Sequence, residues 1–151
     1  MGIISDRWKN NKYHVGDGIY FPDDTVIPIL TGEHGKYYVG KRETLVEAIQ
    51  RYKEDDEDED WADFYYTGNT NHKNYQLKFG GGDQESEGII ILEHDHVLRW
   101  IIHFNDSEEF INANFDGNMI IAVAEYYPHK NLFNIPMVHP EEFTCEKSYE
   151  L

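Results

Sequence analysis

The chain has 151 residues, 40% of them apolar and 15% aromatic, with eleven Tyr and eight Phe. That is enough apolar surface to fold one domain and too little length for two, so intrinsic disorder is excluded. Thirteen Lys and Arg stand against 29 Asp and Glu for a net charge of −16; residues 1–53 sum to +1 and residues 54–151 to −17. A field of that sign repels nucleic acid and acidic membrane surfaces and steers cationic partners.

The opening residues hold no apolar run of signal-peptide length, and Asp6 stands where a myristoylation signal needs Ser or Thr. The longest apolar stretch, Met119 to Ala124, is far shorter than the roughly 20 residues that span a bilayer. The single cysteine, Cys145, makes no internal disulfide and implies a reducing compartment, the cytoplasm. Residues 1–12 are polar around Trp8 and read as a loosely docked arm. Ile19-Tyr20-Phe21 and Val26 to Leu30, separated by Pro22-Asp23-Asp24-Thr25, have hairpin spacing, and Pro28 demands an edge or a bulge. Tyr37-Tyr38-Val39 gives a further short strand.

From Arg42 to Lys53 the period changes, and Leu45, Val46, Ile49 and Tyr52 define the apolar stripe of the main helix. Glu47 and Arg51 form a favourable i,i+4 pair on it. Seven consecutive acids, Glu54, Asp55, Asp56, Glu57, Asp58, Glu59 and Asp60, repel one another and stop the helix in an exposed loop. Trp61, Phe64, Tyr65 and Tyr66 follow as an aromatic cluster whose local structure the pattern leaves open.

The remainder alternates as strands. Tyr75, Leu77 and Phe79 share one face and Gly80-Gly81-Gly82-Asp83 ends that strand as a flexible turn. Ile89 to Leu92 and Val97 to Phe104 flank the tip Glu93-His94-Asp95-His96, with Leu98, Trp100, Ile102 and Phe104 on the core face. Phe110 to Phe115 and Asn118 to Tyr126 surround Asp116-Gly117, the dipeptide of a type I′ turn. Residues 128–151 alternate Pro, His and acids, the pattern of an irregular surface segment. The expected fold is a single α+β domain over 1–151, a largely antiparallel sheet of hairpins packed against one main helix.

No residues assemble into a catalytic constellation. Cys145 and His139 are a thiol and an imidazole six apart, but neighbouring acids such as Glu146 disfavour a thiolate. His94, His96 and Glu93 offer metal-ligand types at a hairpin tip, where polar turn residues are the commoner explanation. Gly80 to Gly82 lacks the Lys and hydroxyl of a phosphate loop, and the acid run lacks the glycine of a calcium loop. The expectation is therefore a protein that is not an enzyme and holds no cofactor or metal.

The strongest constellation is acids beside aromatics: Glu54 to Asp60 supply a field, and Trp61, Tyr65 and Tyr66 are candidate anchors for a partner. In size, acidity and expected fold the chain resembles the immunity proteins that bacteria pair with polymorphic or contact-dependent toxins. The resemblance implies tight binding of a basic protein partner, a cognate toxin domain such as a nuclease, whose cationic groove the acids would occupy. Two further readings are a DNA mimic that occupies a nucleic-acid-binding protein, which calls for carboxylates spaced like phosphates, and a small hydrolase built on the His and carboxylates of the second half, which calls for a deep pocket.

Overall fold

The computed structural model describes residues 2–14, 16–31, 36–53, 61–82, 87–104, 109–126 and 129–148. The chain opens with helix α1 (Ile3–Lys9), then strands β1 (Lys12–His14), β2 (Gly18–Tyr20), β3 (Thr25–Thr31), β4 (Tyr37–Val39) and β5 (Glu43–Thr44). Helix α2 (Leu45–Lys53) precedes β6 (Trp61–His72), β7 (Tyr75–Gly82), β8 (Gly88–His94) and β9 (Val97–Phe104). The last part is β10 (Phe110–Asp116), β11 (Met119–Tyr126), β12 (His129–Pro136), a 3₁₀ turn (Pro140–Glu142) and β13 (Thr144–Ser148).

Every pairing is antiparallel. A nine-stranded sheet runs β1-β6-β7-β8-β9-β2-β3-β4, with β5 beside β3, and a second sheet runs β10-β11-β12-β13. The long strands of the large sheet are apolar on both faces, so both must be covered. On one face Ile19, Ile29, Leu77, Ile90, Trp100, Ile102 and Phe104 pack against Phe110, Ala122, Phe133 and Ile135 of the small sheet. On the other, Tyr20, Val26, Phe64, Ile89, Ile91 and Ile101 pack beneath Ile4 of α1 and Leu45 and Ala48 of α2. The architecture is thus α+β and mostly antiparallel strand, with two short helices where one main helix was expected.

The β2–β3 turn seats both helices. The Asp24 carboxylate accepts the amides of Ile3 and Ile4 at 2.9 Å, capping α1, and its carbonyl accepts the amide of Leu45 at the start of α2. Residues 3–9, expected as a loose arm, are therefore a helix with Ile4 only 2% exposed. Helix α2 starts three residues later than its pattern indicated, because Thr44 caps it. The Thr44 hydroxyl accepts the Glu47 amide at 3.2 Å while the Glu47 carboxylate accepts from the Thr44 amide and hydroxyl, a capping box. Those bonds hold the Glu47 carboxyl below its ordinary range, the Thr44 backbone first and its side chain second. Arg51 accordingly pairs with Glu43 rather than with Glu47. Among the described side chains the buried stripe is Leu45, Ala48 and Ile49, Val46 points to solvent, and the expected Tyr52 side chain lies outside the described residues. Thr44→Ala should lower stability by about 1 kcal/mol in a urea titration and Thr44→Ser should retain it.

Four further expectations change. Leu98 faces the helices with Ile101, while Trp100, Ile102 and Phe104 face the small sheet, because Arg99 is an extra residue between the pairs Glu93↔Leu98 and Leu92↔Trp100. Asp116 stays in the ladder opposite Met119, and the positive φ of 61° falls on Gly117, so the turn residues are Gly117-Asn118. The segment expected to be irregular from residue 128 supplies β12 and β13, half of the small sheet. Pro28 is tolerated inside the sheet because its carbonyl side, where the missing N–H would point, faces Gly40 just beyond the end of β4.

Candidate functional site

One end of the large sheet gathers the features singled out in the sequence. There the end of β1 meets the start of β6 (His14↔Trp61), β6 meets the end of β7 (Phe64↔Gly82), the start of β8 meets the end of β9 (Gly88↔Phe104), and β9 meets the start of β2 (Gly18↔His103). Gly80 to Gly82, expected to be a flexible turn, are the last residues of β7. They are glycines because the strand is crowded. A methyl group on Gly80 would overlap the carbonyl of Tyr65, and one on Gly82 would overlap the Tyr13 hydroxyl and the Glu87 carboxylate.

Those last two groups belong to a buried polar network that the sequence did not disclose. Tyr13 donates to Glu87 Oε2 at 2.7 Å, Glu87 Oε1 lies 2.9 Å from His103 Nε2, and His103 Nδ1 lies 3.0 Å from the Gly16 carbonyl oxygen. Neither the Glu87 nor the His103 side chain is exposed. Asp17 Oδ1 stands 3.7 Å from Nδ1, beyond hydrogen-bond length. The Tyr20 hydroxyl reaches the same Gly16 carbonyl and lies 2.8 Å from His14 Nδ1. The network ties β1, β2, β8 and β9 together at this end. With the Glu87 and His103 side chains closed to solvent, the network acts as a fastener. In the sequence His103 only interrupts the apolar run of β9 and Glu87 only precedes Gly88 and the run Ile89 to Leu92, which points to no contact between them.

The acid run Glu54 to Asp60 lies outside the described residues. Of the rings that follow it, Trp61 is half-buried, 5.5 Å from His14 and with the Arg7 guanidinium 5.1 Å from its centre. Phe64 is buried in the core under the helices. Tyr65 and Tyr66 are 58% and 50% exposed, the two rings of the cluster on the surface. The Tyr66 ring stands edge-on to Phe64 and 5.4 Å from the Lys78 ammonium. Burial lowers the Lys78 pKa, but the hydrogen bond and charge of Glu93 at 2.8 Å and the nearby Tyr66 outweigh it, so the net shift is upward. Glu93 also accepts from the Trp8 indole at 3.0 Å, so its carboxylate is buried in a structural ion pair.

The remaining sequence candidates disperse. Asp95 and His96 are the two positive-φ residues of a tight turn, and His94 stacks on Tyr75 at 4.2 Å. Among the described residues no three His, Cys, Asp or Glu side chains are grouped to hold a metal ion. Cys145 packs half-buried against the core opposite Phe133, and the His139 side chain is exposed beside Glu141. A depression of about 270 Å³ between the β6–β7 and β8–β9 tips is lined by Asn71, Lys73, Asn74, Tyr75, Gln76, Asp95 and His96. No described helix is long and apolar enough to cross a membrane. No protein-family model, curated protein or solved structure matches the chain.

Proposed function

We propose that this protein is an acidic docking module for a basic protein partner, working as bacterial immunity proteins do when they occupy a cognate toxin domain. One observation carries the reading: three acid-bearing segments of the chain adjoin one end of the large sheet. The segments 54–60, 83–86 and 105–108 border Trp61, Gly82, Glu87 and Phe104, whose strands are neighbours there, and hold seven, two and two of the 29 acids. Asp17, Asp63 and Glu109 belong to the same end, Asp63 in an ion pair with Lys12 and Glu109 as acceptor of the Thr67 hydroxyl at 2.8 Å. A focused anionic surface raises the local concentration and on-rate of a cationic protein, and exposed rings such as Tyr65 and Tyr66 supply holding energy once it arrives.

The test is co-purification of the tagged chain from its native host, followed by binding kinetics with the retained protein. The expected partner is basic. Replacing Glu54, Asp55, Asp56, Glu57, Asp58, Glu59 and Asp60 by their amides should slow association on the order of 10- to 1,000-fold at low salt, with a much smaller change at high salt. A retained partner that is not basic, or an association rate that the amides leave unchanged, would overturn the reading.

A further inference from the structure

We infer that the outer edge of β6, from Tyr66 to His72, accepts an extended cationic segment of the partner as an added strand of the large sheet. This rests on the reading of the protein as a docking module for a basic partner and adds where and how that partner engages. β6 is twelve residues long, but β1 pairs with it only over Trp61 to Asp63. Asn11 extends the cover by one residue, its carbonyl accepting from the Phe64 amide at 3.0 Å and its side-chain amide donating to the Phe64 carbonyl at 2.6 Å. Beyond that point, among the described residues, no strand pairs with this side of β6.

The groups on offer follow from the hairpin. His72 and Tyr75 close a two-residue turn, so they exchange hydrogen bonds, and so do Thr70 and Leu77. Asn69 and Asn71 occupy the alternate positions opposite Lys78 and Gln76, which turns their N–H and C=O groups outward at the two-residue spacing an added strand requires. Both residues are exposed. Among the described residues the small sheet meets β6 across its face, where the Thr67 and Thr70 hydroxyls donate to Glu109 and to the Ala113 carbonyl, and not along this edge.

Sheet edges are normally guarded by charge, proline or short length. β4, at the opposite edge, has three residues between Lys36 and Lys41. The stretch Phe64 to Asn71 has no charged residue and no proline in a chain that is 28% charged, and its one irregularity is the extra residue Thr67. The edge begins at the acidic end of the sheet, and residues 54–151 sum to −17, so a cationic segment is complementary and a second copy of this chain is repelled.

The experiment uses an eight-residue peptide of alternating Lys and Val, its Glu–Val counterpart, and amide exchange of the full chain followed by NMR. The Lys–Val peptide is expected to slow exchange at Asn69 and Asn71 by at least about tenfold, and the Glu–Val peptide to leave it unchanged. Asn69→Pro removes an outward-facing donor without touching the β7 ladder, so it should keep the fold and abolish the protection at Asn71. Should Asn69→Pro unfold, Asn71→Pro is read in the same way at Asn69. Equal protection by both peptides, none by either, or protection that survives the proline overturns the inference. If the Lys–Val peptide binds without protecting these amides and is released by neutralising residues 54–60, the edge is excluded while the basic-partner reading stands.

Discussion

Glu87→Ala should lower folding stability by about 3–5 kcal/mol in a urea titration, and Glu87→Gln by about 1 kcal/mol or less. The difference follows from proton placement in the buried network. A carbonyl oxygen only accepts, so His103 Nδ1, 3.0 Å from the Gly16 carbonyl, carries a hydrogen. His103 Nε2 and Glu87 Oε1, 2.9 Å apart, then share one proton, whether it is written on the imidazole or on the carboxyl. In either form the pair is neutral overall, and Tyr13 donates to the second carboxyl oxygen. A glutamine reproduces this pattern: its NH₂ donates to a neutral Nε2 and its carbonyl accepts from Tyr13. Alanine leaves an imidazole and a phenol facing a hole that supplies neither bond, and desolvated polar groups without those bonds are costly. Equal losses for the two variants would show that the charge of Glu87, rather than its hydrogen bonds, holds the network.

This network also marks where sequence reading stopped. Local patterns carried the strands well: Tyr75, Leu77 and Phe79 alternate as expected, and the pairs Ile19↔Ile27 and Leu30↔Tyr38 lie where the apolar runs stood. Contacts between residues 74 apart, such as Tyr13 and Glu87, leave no local trace, because each residue alone fits a surface as well as a core. Phase errors had a second origin. One extra residue at Arg99 moves Leu98 to the opposite face, and on α2 the i, i+3, i+4 stripe is Leu45, Ala48 and Ile49, which leaves Val46 outside it. A period gives the spacing of a face, while a bulge decides which face. For the candidate site, the acid run and its neighbouring rings were legible as composition. That neighbouring strands of one sheet end border other acid-bearing segments required strand order, which non-local pairing alone sets.

Phe133→Ala is the other substitution with a large expected effect, about 3–5 kcal/mol of stability. Phe133 belongs to the region whose Pro, His and acids read as irregular, yet its residues alternate. Asn131, Phe133 and Ile135 are buried, and Leu132 and Asn134 are less so. The inward Asn131 broke the apolar pattern that would have disclosed a strand. The Phe133 ring lies 4.9 Å from Phe104 and 5.3 Å from Phe110, with Tyr37 at 5.8 Å, so it joins β9 and β4 of the large sheet to β10 of the small one. Removing it opens a cavity at the seam, where neither sheet can collapse without losing register to its own neighbours. Val138→Ala, a few residues away but 75% exposed, should change stability by no more than about 0.5 kcal/mol. If Phe133→Ala costs less than about 1 kcal/mol, or leaves a two-step urea transition, the small sheet is an appendage that unfolds by itself, and the large sheet is stable with that face exposed.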